Sequence, residues 1–168
     1  MRRIMAILIA AVLSLPVSAK GFQVSADLMS LDSLLYGSLR IDAEIGYRFN
    51  DLRVSFPVRY SHSVSYSLDF LEGGIFISSY PFENCGFFVG ASLLRLGYFW
   101  GYDVPDERLM VFSEVSAGWT ISFPYSFIEP RISFTDALSQ EEGKLSMLGN
   151  AVGQYRRFRI SLLAGFEF

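Results

Sequence analysis

The sequence predicts an all-β protein folded as an eight-stranded antiparallel up-and-down β-barrel. Apolar and polar residues alternate with a period of two along eight segments, which is the spacing of strands that separate two environments. Hydrophobic residues make up 51% of the 168 residues and aromatic residues 16%. No run after residue 19 reaches the roughly 18 apolar residues of a membrane helix. The apolar content must therefore be distributed over alternating strands.

The first 19 residues have the composition of a secretory signal peptide. Two arginines precede an apolar run over 4–13, and small residues follow at 17–19, which is the order of a positive region, a hydrophobic region and a cleavage site. An uncleaved membrane anchor is the alternative, but the run is short and Pro16 interrupts it. We therefore predict a signal peptide over 1–19 and one β-barrel domain over 20–168.

The charge balance excludes several function classes. Without the two arginines of the signal peptide, 12 basic residues face 17 acidic ones, whereas a nucleic-acid-binding surface is basic. Only two of the basic residues are lysines, and arginine suits paired, poorly hydrated sites.

The single cysteine, Cys85, excludes a disulfide framework. With one histidine and no cysteine pair, we expect no metal site and no cofactor.

The strands follow one another through short turns and longer loops. Leu39 to Phe49 is the cleanest alternating segment, and Asn50-Asp51 then forms a two-residue hairpin turn. Pairing Phe49 with Leu52 places Asp42 opposite Arg59 on the polar face. Short links are expected at 50–51, 80–86 and 123–126, and longer ones at 30–37, 101–108 and 137–154, with 62–65 a short exception. The predicted strands are 22–28, 39–49, 52–61, 66–79, 87–100, 109–121, 128–134 and 158–168.

The last strand carries the one pattern that approaches a motif. Alternate positions from Phe158 to Phe168 are apolar, and the positions between them are mostly charged or small. Eleven tilted residues rise about 28 Å, close to the apolar band of a membrane barrel. This segment resembles the final strand of bacterial outer-membrane β-barrels. The resemblance implies that barrel assembly machinery reads it as an assembly signal through Phe158, Ile160, Leu162, Phe166 and Phe168.

Two predicted strands depart from regular alternation or regular hydrogen bonding. In 66–79, apolar residues occupy even positions up to Phe70 and odd positions from Leu71. A β-bulge at Phe70-Leu71 would keep both sets on one face and put Asp69 and Glu72 on the other. Alternatively, Leu68 and Phe70 lie beyond the apolar band, where facing matters less. In 128–134, Pro130 removes one ladder donor and predicts a local irregularity.

The fifth predicted strand is apolar on both faces except for Arg95. A charge that faces lipid at mid-membrane costs about 2–4 kcal/mol, so Arg95 should point inward. Pairing Trp100 with Leu109 would then bring Arg95 opposite Glu114. The residues that this assignment sends outward are Phe88, Leu94, Leu96, Tyr98 and Trp100.

The polar face is predicted to line a closed interior. An eight-stranded barrel is just filled by its inward side chains, and interlocked arginines and carboxylates would fill it with charge-assisted hydrogen bonds. We therefore expect no open pore. The predicted interior charge network consists of Asp42, Glu44, Arg59, Glu72, Arg95, Glu114, Glu129, Arg131 and Arg159.

Aromatic residues gather near both ends of the strands, as in the interfacial girdles of membrane barrels. The pattern over 20–168 resembles the small outer-membrane barrels typified by OmpX, the membrane domain of OmpA, and OmpW. At the turn end the aromatic residues are Tyr47, Phe49, Tyr80, Trp119, Phe123, Phe127, Phe166 and Phe168. At the loop end they are Tyr60, Tyr66, Tyr98, Trp100, Phe134 and Phe158.

These observations predict a non-enzymatic transmembrane barrel in the outer membrane of a Gram-negative-type envelope. Its partners would be outer-membrane lipid, the barrel assembly machinery and an external ligand bound through loops 101–108 and 137–154. Its role would be envelope integrity or surface interaction. The alternatives are an OmpW-like conduit for small hydrophobic molecules, a lipid-A-modifying enzyme and a soluble ligand-binding barrel.

The enzyme hypothesis depends on a serine and a histidine near the outer surface. His62 would act as the base, Ser63 or Ser65 as the nucleophile, and Asp69 would orient the imidazole. Adjacent residues on a strand point to opposite faces, so Ser63 is poorly placed. We therefore assign no catalytic residue.

Overall fold

The computed structural model describes residues 21–30, 38–82, 86–101, 108–137, 142–152 and 157–168. Within them the strands form one antiparallel sheet that closes on itself, because the strand that begins the sheet order, Leu109–Trp119, also pairs with Ser126–Ala137 near the end of that order. The predicted fold class, a closed eight-stranded antiparallel β-barrel, is confirmed. The predicted signal peptide, Cys85 and most of loop 101–108 lie outside the described residues.

Nine strand segments make up the eight walls of the barrel. The segments are β1 Phe22–Asp27, β2 Ser38–Phe49, β3 Leu52–Ser63, β4 Leu68–Ser79, β5 Phe87–Gly101, β6 Leu109–Trp119, β7 Ile121–Ser122, β8 Ser126–Ala137 and β9 Phe158–Glu167. β7 continues β6 beyond Thr120, so these two segments form one wall. Around the barrel the order is β6, β5, β4, β3, β2, β1, β9 and β8, and β8 pairs with both β6 and β7.

The predicted register of the β2–β3 hairpin is confirmed. Phe49 pairs with Leu52 and Asp42 pairs with Arg59. Asn50 occupies the turn at φ 47°, a left-handed conformation that asparagine tolerates better than most residues. This end of the barrel, with the chain terminus at Phe168, is called the turn end, and the opposite end the loop end.

Pro130 produces the irregularity that its missing N–H predicts. The β8 ladder runs from Phe112 to Gly118 on β6 and resumes at Ile121 on β7. The two positions skipped on β6–β7 lie opposite Glu129 and Pro130. On its other side, this segment continues the β5 ladder, because the Thr120 N–H donates to the Gly86 carbonyl oxygen at 2.7 Å. The pairing register with β8 is the same before and after this interruption. Inward and outward positions therefore continue to alternate from β6 into β7.

The β-bulge expected at Phe70-Leu71 is wrong. β4 pairs with β3 in one unbroken register, and the single extra residue lies instead on β5, near Leu93. Leu68 and Phe70 therefore point inward, and Asp69 points outward. The ring of Phe70 lies where a side chain on Gly97 would stand, so this glycine makes room for the inward ring.

The extra residue also corrects the assignment of β5. Phe88 points inward and is fully buried, because the bulge reverses the phase between it and Arg95. Arg95 is buried as well, whereas Leu94, Leu96 and Tyr98 face outward. Leu109 pairs with Tyr98 rather than with Trp100.

One helix was not anticipated in the link between β8 and β9. Helix α1 spans Glu142–Ala151, inside the predicted loop 137–154, and buries Leu145, Leu148 and Ala151. Among the described residues, no helix is long and apolar enough to cross a membrane.

Candidate functional site: the barrel interior, its apolar cap and the outer surface

The outer surface of the barrel walls is apolar at mid-height. Exposed aliphatic and aromatic side chains come from every wall, including Val58 of β3 and Ile132 of β8. Aromatic side chains are exposed near both ends, but Tyr80 and Phe127 point inward and are buried, so they do not belong to the turn-end girdle that we expected. The apolar outward residues of β9 are Phe158, Ile160, Leu162, Ala164 and Phe166, and Phe168 follows the strand.

The interior is charged and balanced. Six arginines and six carboxylates of the described strands form ion pairs with one another inside the barrel, and eleven of the twelve are buried, with Arg159 slightly exposed. All nine residues of the predicted network lie here, and each contacts an opposite charge. The interior charges are Asp27, Arg40, Asp42, Glu44, Arg53, Arg59, Glu72, Arg95, Glu114, Glu129, Arg131 and Arg159.

The four charges nearest the turn end form the lower ion cluster of Glu44, Arg53, Glu129 and Arg131. Arg53 donates to both carboxylate oxygens of Glu129, at 2.8 and 3.0 Å. Arg131 donates to both oxygens of Glu44, at 3.0 and 3.3 Å, and to Glu129 at 2.6 Å. Bidentate geometry of this kind joins charge assistance to fixed orientation.

Aromatic rings surround the lower ion cluster. The guanidinium carbons of Arg53 and Arg131 lie 5.2 and 5.5 Å from the centre of the Phe88 ring, within the range of cation–π attraction. Below them, Tyr80 approaches the Thr120 hydroxyl at 3.3 Å. Burial raises the pKa of the Tyr80 hydroxyl above its ordinary value, and the neighbouring Arg53 opposes that shift.

The other eight charges form the upper ion cluster of Asp27, Arg40, Asp42, Arg59, Glu72, Arg95, Glu114 and Arg159. Here carboxylates are shared between arginines. Glu114 contacts Arg95, Arg59 at 3.4 Å and Arg159 at 3.6 Å, and Asp42 contacts Arg59, Arg40 at 3.2 Å and Arg159 at 3.7 Å. Arg95 also contacts Glu72. Charges therefore run around the wall in a connected ring.

An apolar cap fills the loop end of the interior above the upper ion cluster. Inward side chains of β4, β5 and β6 pack against the buried face of α1. Lys144 fastens the helix through a 2.9 Å hydrogen bond to the Leu109 carbonyl oxygen, and Arg157 pairs with Glu142 at 2.6 Å. The apolar cap consists of Leu68, Phe70, Phe99, Met110, Phe112, Leu145, Leu148, Ala151 and Val152.

The residues of the enzyme hypothesis are only partly brought together. His62 and Asp69 face outward, with Nδ1 of His62 2.9 Å from Oδ1 of Asp69. Ser63 points into the barrel and is buried, so its hydroxyl lies on the opposite face from the imidazole. Among the described residues, no three His, Cys, Asp or Glu side chains are arranged to hold a metal ion.

Sequence reasoning missed Arg53, Arg40 and Asp27. All three occupy the polar face of strands that we predicted, at the same alternate positions as the residues that we selected. They lie close to strand ends, whereas the predicted network was drawn from mid-strand positions. The alternation itself was the signal that could have found them.

Comparison with known proteins supports the fold. Neither a protein-family model nor a curated protein sequence matches the chain. Among solved structures, it is similar to the N-terminal β-barrel domain of Pseudomonas aeruginosa OprF, with a TM-score of 0.60 and 14% sequence identity. The similarity covers 89% of this chain and 98% of that domain. At this identity, what the two chains share is the barrel fold.

Proposed function

We propose that this chain is a non-enzymatic outer-membrane β-barrel protein of a Gram-negative-type envelope. In this proposal, Arg–carboxylate pairs close its interior, and its external loops serve envelope integrity or surface contacts. One observation carries the proposal: the walls turn apolar side chains outward and hold twelve charges inside. A soluble ligand-binding barrel would have the opposite arrangement, since water favours a polar exterior.

The closed ladder supports the same environment. In a bilayer, backbone N–H and C=O groups find no water, so a spanning sheet must have no free edge. Here β8 returns to β6 and leaves no open edge between the end strands. The similarity to the OprF barrel domain fits this assignment. Outward apolar surface on this scale marks contact with membrane or protein.

The interior contacts support a closed barrel rather than a pore. The Arg53–Glu129 pair joins β3 to β8, which stand four walls apart and therefore face each other across the lumen. The apolar cap fills the other end. We expect the purified barrel to show no ion conductance above background in planar bilayers, and steady channel currents would contradict closure.

Migration of the purified protein in gels with and without boiling tests the proposal. A folded membrane barrel stays compact in detergent at room temperature and changes its migration only after heating. We expect one band for the unheated sample and a second band, at a different position, for the heated sample. We also expect that only detergent extracts the protein from membranes. Solubility without detergent, together with one heat-independent band, would overturn the proposal.

A conduit for small hydrophobic molecules is the second candidate, and one feature favours it. An apolar groove of about 810 Å³ lies on the outside of the barrel and is lined by residues of β4, β5, β6, β8 and β9. Within it, the β5–β6 ladder is interrupted between Ala91 and Leu96. The apolar cap lies inside the same walls. Against this function, the upper ion cluster lies below the cap, so an apolar molecule would meet buried charge.

Uptake of a fluorescent hydrophobic amine by the reconstituted barrel separates the two candidates. A conduit would bind the probe inside, and Phe112→Asp within the apolar cap would abolish the signal. Ile128→Asp, an outward change away from the groove, is the matched control. We expect no saturable probe binding that depends on Phe112.

A further inference from the structure

The outward face of the walls carries very few ionisable side chains. Apart from tyrosines, the described strands place only His62, Asp69 and Asp136 there. All three lie at the loop end, where the apolar surface stops. Two of them, His62 and Asp69, are direct partners across the β3–β4 ladder.

Asp69 is surrounded by hydrogen-bond donors and aromatic rings. Its Oδ1 accepts a 2.6 Å hydrogen bond from the Tyr60 hydroxyl and lies 2.9 Å from Nδ1 of His62. Trp100 is its partner across the β4–β5 ladder. The Trp100 ring stacks with Tyr60 at 6.1 Å and with Tyr98 at 6.3 Å between ring centres. We call Tyr60, His62, Asp69, Tyr98 and Trp100 the Asp69 patch.

The charge of Asp69 is not balanced in the way the interior charges are. Each of the six carboxylates in the two ion clusters contacts at least one arginine, whereas among the described residues Asp69 has only His62 within ion-pair distance. Tyr60 donates a hydrogen bond to Asp69 but brings no positive charge. The faces of the aromatic rings are also electron-rich. Carboxylate and rings together attract a cation.

The shape and exposure of the patch suit an ammonium group. Ammonium ions bind over tryptophan and tyrosine faces, and the attraction increases where water is partly excluded. The Asp69 side chain is 19% exposed, so it is accessible and still partly shielded. Among the described residues, no arginine or lysine lies at ion-pair distance from Asp69. The Asp69 carboxylate therefore favours a cationic group over an anionic group such as phosphate.

We propose that the Asp69 patch binds the ammonium group of a membrane lipid headgroup. The inference rests on the proposed function, because it needs the patch to meet lipid. Below the patch, towards mid-height, Leu71 and Leu96 are exposed outward. Their apolar surface would accept the acyl chains of the same lipid, which favours a lipid over a free amine as the occupant.

Lipid retention by the full-length folded barrel tests the proposal. The barrel is equilibrated with equal amounts of phosphatidylethanolamine and phosphatidylglycerol with the same acyl chains, and bound lipid is measured by native mass spectrometry. We expect about fivefold enrichment of the ethanolamine lipid, since cation–π attraction of this kind has that magnitude. Asp69→Asn should abolish the enrichment, and Trp100→Leu should weaken it.

Asp136→Asn is the matched control, because it removes an outward carboxylate at the same end outside the patch. It should leave the enrichment unchanged. Equal retention of both lipids by the unaltered barrel, or preserved enrichment in Asp69→Asn, would overturn the proposal. Displacement of the lipid by free ethanolamine at similar concentration would also overturn it and assign a soluble amine. Heat-dependent gel migration of the same samples shows whether the barrel itself is folded; a chain that never folds in lipid would defeat the proposed function as well.

Discussion

The lower and upper ion clusters place similar groups in the same interior but connect them differently. In the lower cluster, Arg53 and Arg131 each hold a carboxylate with two donors, and the Arg53–Glu129 pair crosses the full lumen. In the upper cluster, Arg95 reaches Glu72 and Glu114 on the two neighbouring strands. The lower cluster therefore joins opposite walls through the Arg53–Glu129 pair, while most upper contacts link adjacent walls.

The number of partners that each charge has determines whether a substitution in the cluster leaves a buried charge unpaired. A buried charge without a partner is far more costly than a buried pair. In the lower cluster, Glu44 and Glu129 depend on the same two arginines. In the upper cluster, Asp42 and Glu114 each contact three arginines. Sharing makes the upper cluster tolerant to single changes.

Arg131→Met should be the most damaging single change. It leaves Glu44 with one contact, to Arg53 at 3.8 Å, and takes two hydrogen bonds from Glu129. We expect a loss of about 3–5 kcal/mol in the free energy of unfolding, measured by urea titration of the barrel in vesicles. A loss below about 1 kcal/mol would contradict a bracing role, since exposed ion pairs contribute that little.

The pair that crosses the lumen should show direct coupling. A double-mutant cycle with Arg53→Met and Glu129→Gln isolates their interaction from effects on other groups. We expect a coupling free energy of about 1–3 kcal/mol, at the upper end of the range for contacting residues. Additive single effects would show that the two walls are not joined through this pair.

The rings around each cluster extend the comparison. Phe88 lies near two arginines, whereas among the described residues Phe112 lies near one, Arg95, at 4.9 Å from its ring centre. Phe88→Leu should therefore cost about 1–2 kcal/mol from the lost cation–π attraction, and Phe112→Leu about half as much. Unfolding of both variants in the same lipid measures the difference, and the reverse order would contradict it.

Arg159→Met should have the smallest effect, and it is matched in chemistry to Arg131→Met. Its contacts with Asp42 and Glu114 are long, at 3.7 and 3.6 Å, and both carboxylates keep two other arginines. Replacing a poorly placed buried charge by an apolar side chain can be neutral. We expect a change within about 1 kcal/mol, and a loss equal to that of Arg131→Met would remove the distinction between the clusters.

The regularity of a strand decided how far it could be predicted from sequence. β2 alternates without exception, so its facing and its hairpin register followed directly from the side-chain period. β5 is apolar on both sides, and nothing in such a sequence marks the extra residue near Leu93 that turns Phe88 inward. Only the neighbouring strands determine where that residue is accommodated.

Tertiary packing explains the other differences. Helix α1 contains Gly143 and Gly149, which lower helix propensity, and its apolar positions become meaningful only against the open end of a barrel. Leu68 and Phe70 are out of phase with the rest of β4 for the same reason, since they belong to an apolar cap built with residues of β5, β6 and α1. Alternation alone places apolar side chains such as these on the outer face of the barrel. When they point inward at a strand end, they indicate an apolar cap.

Depth-dependent fluorescence quenching tests the central claim, that apolar side chains face lipid while charges fill the interior. In a Trp100→Phe, Trp119→Phe background, a single tryptophan is placed at Val58 or at Ile132, both outward on facing walls, or at Tyr125 in a turn. Lipids brominated in mid-chain should quench the first two strongly and the third weakly. Equal, weak quenching at Val58 and Ile132 would contradict the account.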